Sequence, residues 1–168
     1  MRFVLFTLCV AFGLTVAAGD SITMRDAFRQ MPDSLLPALT QNNRLDFLDF
    51  RDAGMKAEVK NRLGGTSVMT ALTDDSLSLQ MSPALRIDML LLTLDEPLDS
   101  VNQIIVVGET FFADSVYGET TVRYYTIDWH SIPVLPLNRM QQQRIDNFKL
   151  QTILKWDDEL LNKVNNRL

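Results

Sequence analysis

In the stretch NNRLDFLDFRDAGMKAEVKNRLGG, residues 42–65, three carboxylates stand three residues apart: Asp46, Asp49 and Asp52. Side chains at that spacing can hold a hard cation, exchange protons, or wet one face of a helix. On a helix Asp46 and Asp49 share a face at i, i+3. Leu45, Leu48 and Met55, flanked by Phe47 and Phe50, make a wide apolar face and leave the aspartates the remainder. An EF-hand loop places oxygen ligands on alternate residues, then a Gly and a distant Glu. DFRDAG has Phe50 and Arg51 where ligands must begin, and it fails that test. Solvation of a helix face is the reading that fits best, since carboxylates near a helix N-terminus also complement its dipole. A structural polar contact from Asp46 or Asp49 to another part of the fold comes second, and metal binding or catalysis last. No metal site, no catalytic residue and no cofactor is expected.

The other chemistry-bearing residues give weaker patterns. LTDDS and LDEPLD, with Asp95, Glu96 and Asp99 around Pro97, are built from turn formers and read as solvated connections. His130 is the single histidine, so a zinc site would have to be completed by carboxylates, and no G-x-S-x-G elbow is present for a serine triad. Glycoside hydrolysis needs only two carboxylates across a cleft. Glu58, Glu109, Glu119 and Asp128 are available for it, but nothing in their spacing selects a pair. Phe111, Phe112, Tyr124, Tyr125 and Trp129 crowd two adjacent strands, and neighbours along a strand face opposite ways. One set builds the core. The other either pairs across strands under a cover or forms an exposed binding platform, for which Tyr124, Trp129 and Phe112 are the ligand-binding candidates.

The positioning elements begin after a leader. Arg2 precedes an apolar run from Phe3 to Val16, and Val16 and Ala18 occupy the minus-three and minus-one positions of a cut after Ala18. That is the layout of a secretory signal peptide over residues 1–18, short for a membrane span. Cys9 lies inside the run rather than at its end, so no lipoprotein junction is present. Cleavage predicts a periplasmic or extracellular chain without a transmembrane helix. It removes the one cysteine, and with it disulfides, thiolate metal sites and Cys nucleophiles. It also leaves 15 Lys and Arg against 21 Asp and Glu, a net charge of −6. With no basic stripe, nucleic acid is excluded as a partner on electrostatic grounds.

Residues 19–168 then form a single α+β domain: helical over 22–65, sheet over 66–130, mixed over 131–168. SITMRDAFRQMPDS predicts a helix N-capped by Thr23 with Asp26 completing a capping box, apolar at Met24, Ala27, Phe28 and Met31 and stopped at Pro32. A short turn follows. Asn42 or Asn43 then caps the aspartate-bearing helix, and Gly64-Gly65 ends the helical region. Beyond it the period is two. Val68–Leu72 and Leu77–Met81 predict a hairpin across TDDS, ALRIDMLLLTL a strand running into mid-sheet, and QIIVVGETFF with TTVRYYTIDW two antiparallel neighbours. RMQQQRIDNF is read as helical, KLQTILKW as a last strand and DDELLNKVNNRL as a terminal helix. The fold class expected is N-terminal helices packed on a twisted antiparallel sheet of about five to six strands, with a C-terminal helix.

MPDSLLPALTQNNRLDFLDF, MKAEV.NRLGG, MTALTDD and YYTIDW together resemble an uncharacterised secreted family of Bacteroidales, defined only as a domain of unknown function. The resemblance covers most of the mature chain up to Trp129. It implies an envelope or extracellular address and a single domain, and it carries no activity or site residue. The reading that follows is a non-enzymatic domain binding a small ligand or an envelope protein. A carboxylate-dependent glycan hydrolase is the alternative, and an envelope assembly or structural factor the third.

Overall fold

The structure is a computed structural model that describes residues 21–98, 101–113, 116–133 and 137–148. Residues 1–18, read above as a signal peptide, and the segments KLQTILKW and DDELLNKVNNRL lie outside the described residues. Helix α1 (Met24–Gln30) starts as its sequence dictates: the Thr23 hydroxyl accepts from the Asp26 N–H, and the Asp26 carboxylate accepts in return from the Thr23 N–H. Met24, Ala27, Phe28 and Met31 are all buried. The Thr23 hydroxyl also donates to Asp26, which holds that carboxyl below the ordinary aspartate range. A carboxyl whose pKa is depressed by folding adds stability above its unfolded pKa and loses it as pH falls through the folded value. Thermal unfolding of the wild type and Asp26→Asn should therefore differ at neutral pH and converge in acid, below about pH 4. An offset unchanged by acid would remove the carboxylate from the cap.

A single 3₁₀ turn (Asp33–Leu35) leads to α2 (Gln41–Asp52). Its cap is Thr40 in a second capping box, with Asn43 as the returning side chain, rather than Asn42 or Asn43 as the sequence suggested. The helical region also ends earlier than residue 65. Gly54 takes φ 66 just past the C-cap Ala53, and the Gly54 and Met55 N–H groups return to Arg51 O and Phe50 O. This is a Schellman stop, which glycine permits because it lacks a Cβ. The NRLGG segment belongs instead to a strand-to-strand turn organised by buried Asn61. The Asn61 carboxamide oxygen accepts from the Leu63 and Gly65 N–H groups, while its nitrogen donates to Ser67 Oγ and Met81 O.

Among the described residues seven strands follow in one antiparallel sheet, whose spatial order is the chain order. They are β1 (Glu58–Lys60), β2 (Thr66–Leu72), β3 (Ser76–Ser82), β4 (Leu85–Leu98), β5 (Val101–Ala113), β6 (Val116–Thr126) and β7 (Ser131–Ile132). The two that the sequence pattern did not indicate, β1 and β7, are too short to show a period of two. A helix over residues 139–148, α3, follows β7. Strand alternation sorts the core into two layers. Leu77, Leu79, Ile87, Met89, Ile105 and Tyr125 pack with α1 and α2 on one face. Leu90, Leu92, Leu94, Ile104 and Val106 pack with Ile145 of α3 on the other. Coverage of both faces explains why β4 turns apolar on both sides. Among the described residues no helix is long and apolar enough to cross a membrane.

Candidate functional site

The chemistry-bearing residues read from sequence are dispersed by this fold. Asp46 and Asp49 are exposed on the outer face of α2. Asp52 meets both terminal nitrogens of Arg25, at 2.6 and 2.9 Å, and clasps α2 to α1 at the surface. The buried polar residue of α2 is Arg44, which shares a face with Phe47 and Leu48. It donates to Met31 O at 2.6 Å, and its Nη1 lies 2.8 Å from the half-exposed Asp33 carboxylate. That ion pair is off-line for a hydrogen bond, and Nε has no partner among the described residues.

Trp129 and Tyr124 occupy opposite faces of the sheet. Trp129 is buried in the α1–α2 core, donates from Nε1 to Ala27 O at 2.9 Å, and lies 5.6 Å from the Tyr125 ring. It holds φ 65, a region bulky residues rarely adopt, at the turn out of β6. Tyr124 is half-buried on the α3 face, where burial first, and the Asp146 carboxylate second, raise its phenol pKa. Phe112 is buried beside a bulge between β5 and β6. His130 is exposed. Glu109 is engaged by Arg123 at 2.9 Å.

What the fold does bring together lies on the α3 face. Arg86 and Asp88 alternate along β4, so they share a face, and Ser78 pairs with Asp88 across β3. All three are buried. Arg86 Nε donates to one Asp88 oxygen at 2.9 Å and Nη2 to the other at 3.2 Å, while the Ser78 hydroxyl donates to the same carboxylate. Asp88 and Ser78 form the floor of a cavity of about 290 Å³. Its walls are Asp75 and Ser76 from the β2–β3 end and Arg144, Asn147 and Phe148 from α3. Gly108 lets α3 lie this close: a Cβ there would stand 3.3 Å from the Phe148 ring. Both oxygens of Asp88 are thus taken up within the protein, by a guanidinium and a hydroxyl. The cavity offers a carboxylate (Asp75), a guanidinium (Arg144), a carboxamide (Asn147), hydroxyls and one aromatic ring. That set hydrogen-bonds a neutral or zwitterionic group. Among the described residues no three His, Cys, Asp or Glu side chains gather as a metal site would require.

The sequence reading missed the Arg86–Asp88 pair although a signal was present. ALRIDML sets opposite charges at alternate positions of a strand that is otherwise apolar. Arg44 carried a fainter one, standing at i−3 and i−4 of Phe47 and Leu48.

A family profile described as a protein of unknown function (DUF3256) matches residues 17–168. The chain belongs to the DUF3256 family. No curated protein matches this DUF3256 chain. A solved structure of a domain of an uncharacterized protein from Porphyromonas gingivalis W83 has a similar fold, with a TM-score of 0.54 and 23% identity. The alignment covers 71% of the DUF3256 chain and 60% of that one. Porphyromonas belongs to the Bacteroidales, the order to which the sequence resemblance pointed.

Proposed function

We propose that the mature chain is a secreted or periplasmic binding domain, not an enzyme, and that it takes a small neutral or zwitterionic ligand in the cavity between α3 and the sheet. The observation that carries this reading is the state of Asp88: the buried acid at the cavity floor is already balanced by Arg86 and Ser78. Around it stand hydrogen-bonding groups of both signs and the Phe148 ring, a combination suited to a sugar ring or a short stretch of peptide. The leader pattern of residues 1–18 supports export, and the family match begins next to the expected cut.

Protein beginning at Gly19, isotope-labelled and titrated with neutral disaccharides and with capped dipeptides, tests the proposal. One of the two classes should shift the amide signals of Ser76, Arg144 and Asn147 at millimolar concentration, and Asn147→Ala should weaken that response roughly tenfold. No shift at these amides with either class would sink the reading. Since Asp75 and Asp88 both border the cavity, release of reducing sugar during the titration would instead establish a hydrolase.

A further inference from the structure

Two cavities meet along one side of α3. The cavity floored by Ser78 and Asp88 has Arg144 and Asn147 in its wall. A second cavity, of about 330 Å³, is lined by Thr93, Met140, Gln141 and Gln143 and by the same Arg144 and Asn147. The periodicity of α3 explains the sharing. Gln141 and Ile145, four apart, are buried and mark the side of the helix that packs on the protein. Met140, Gln143, Arg144 and Asn147 stand at i, i+3, i+4 and i+7 and form a second stripe, exposed along its length. At 1.5 Å of rise per residue the stripe is about 10 Å long. The facing strand gives a matching span. β4 contributes Asp88, Met89 and Leu90 to the first cavity and Thr93 to the second. At the usual rise of a strand, Leu90 to Thr93 is roughly 10 Å and Asp88 to Thr93 roughly 16 Å.

We propose, building on the binding reading above, that the paired cavities take one linear peptide of about four to five residues with an acidic residue at its centre. The first cavity offers Leu77, Leu90 and the Phe148 ring to an apolar side chain. The second offers Met140, 69% exposed, whose unbranched thioether adapts to varied side chains. Where they join, Asn147 carries both a donor and an acceptor, as a peptide group does. Arg144 adds a guanidinium, whose fork of donors matches a carboxylate. Alternate side chains of an extended peptide share a face, so its first, third and fifth residues meet the first cavity, Arg144 and Met140 in turn. The described lining of the second cavity has no aromatic ring for a sugar to stack on. It has instead the carboxamides of Gln141, Gln143 and Asn147, which favours a peptide over a glycan chain.

The test uses isotope-labelled protein beginning at Gly19. It is titrated with Ac-Leu-Ala-Glu-Ala-Leu-NH2, with the analogue carrying Lys at the centre, with Ac-Leu-Ala-NH2 and with neutral disaccharides. The Glu-centred pentapeptide should bind at least about tenfold tighter than the dipeptide and move the amide signals of both Ser76 and Thr93. The dipeptide should move Ser76 alone. Lys at the centre should weaken binding about three- to fivefold, as expected for an exposed charge pair. Arg144→Glu should reverse that preference, and since the side chain is exposed the fold is kept. A pentapeptide that binds no tighter than the dipeptide, or leaves Thr93 unmoved, overturns the proposal while the cavity over Asp88 keeps its ligand. So does a response to disaccharides alone, or a preference for Glu over Lys that survives Arg144→Glu. Silence of Ser76 and Asn147 with every probe removes the binding reading itself, and the peptide with it.

Discussion

Asp88→Ala is expected to cost about 3–5 kcal/mol of unfolding free energy, the usual penalty for leaving one partner of a buried ion pair behind. The Arg86 and Asp88 side chains are 3% and 4% exposed, so the single change leaves a guanidinium buried without its carboxylate. Ser78 loses its acceptor as well. Urea denaturation should show a lower midpoint with the slope unchanged. The double change Arg86→Met/Asp88→Leu should recover most of the loss, because it removes the charge that the single change strands. A single change that costs less than about 1 kcal/mol would mean that the pair is hydrated and behaves as a surface salt bridge. The same variants bear on the cavity. If the double change restores stability without restoring ligand response, the pair shapes the binding floor in addition to holding β3 and β4 together.

Replacing Trp129 should be of similar size. Trp129→Ala empties a large buried site and removes the donor to Ala27 O, for about 3–5 kcal/mol. Trp129→Phe keeps most of the ring packing and leaves that carbonyl without its partner, for about 1–3 kcal/mol. At a domain of this size each kcal/mol lowers the melting temperature by roughly 2–4 °C. Differential scanning calorimetry of the two variants therefore separates the hydrogen bond from the packing. Near-wild-type melting of Trp129→Ala would return Trp129 to the role of an accessible ligand platform.

Local rules made part of this fold legible. The Thr23–Asp26 cap, the buried stripe of α1, the β2–β3 hairpin and the β5–β6 pair all follow from interactions within a few residues or from strict alternation. The end of α2 was missed for a physical reason. DAGM and NRLGG both offer glycines, and only the backbone returns to Phe50 and Arg51 show that the first one stops the helix. Strands as short as β1 and β7 exist because a neighbour pairs with them, not because their own residues demand it. The candidate site was the least legible part. That Arg86 and Asp88 share a face can be read from ALRIDML, but their burial comes from elements distant in sequence, α3 among them at Asp88. Trp129 looked available for a ligand because its sequence neighbours do not reveal that α1 sits on it.

The order of the sheet bears on how the chain folds. Among the described residues each strand pairs only with those adjacent in sequence, so the meander can zip up one hairpin at a time, with short loops to close at every step. The bond from Trp129 to Ala27 spans 102 residues and so closes a long loop. Together with Gln103 at Ile22, it fastens the first helix onto strands made much later. The α1 contacts are therefore expected to form late in assembly and to open early. Weakening them should speed unfolding far more than it slows folding.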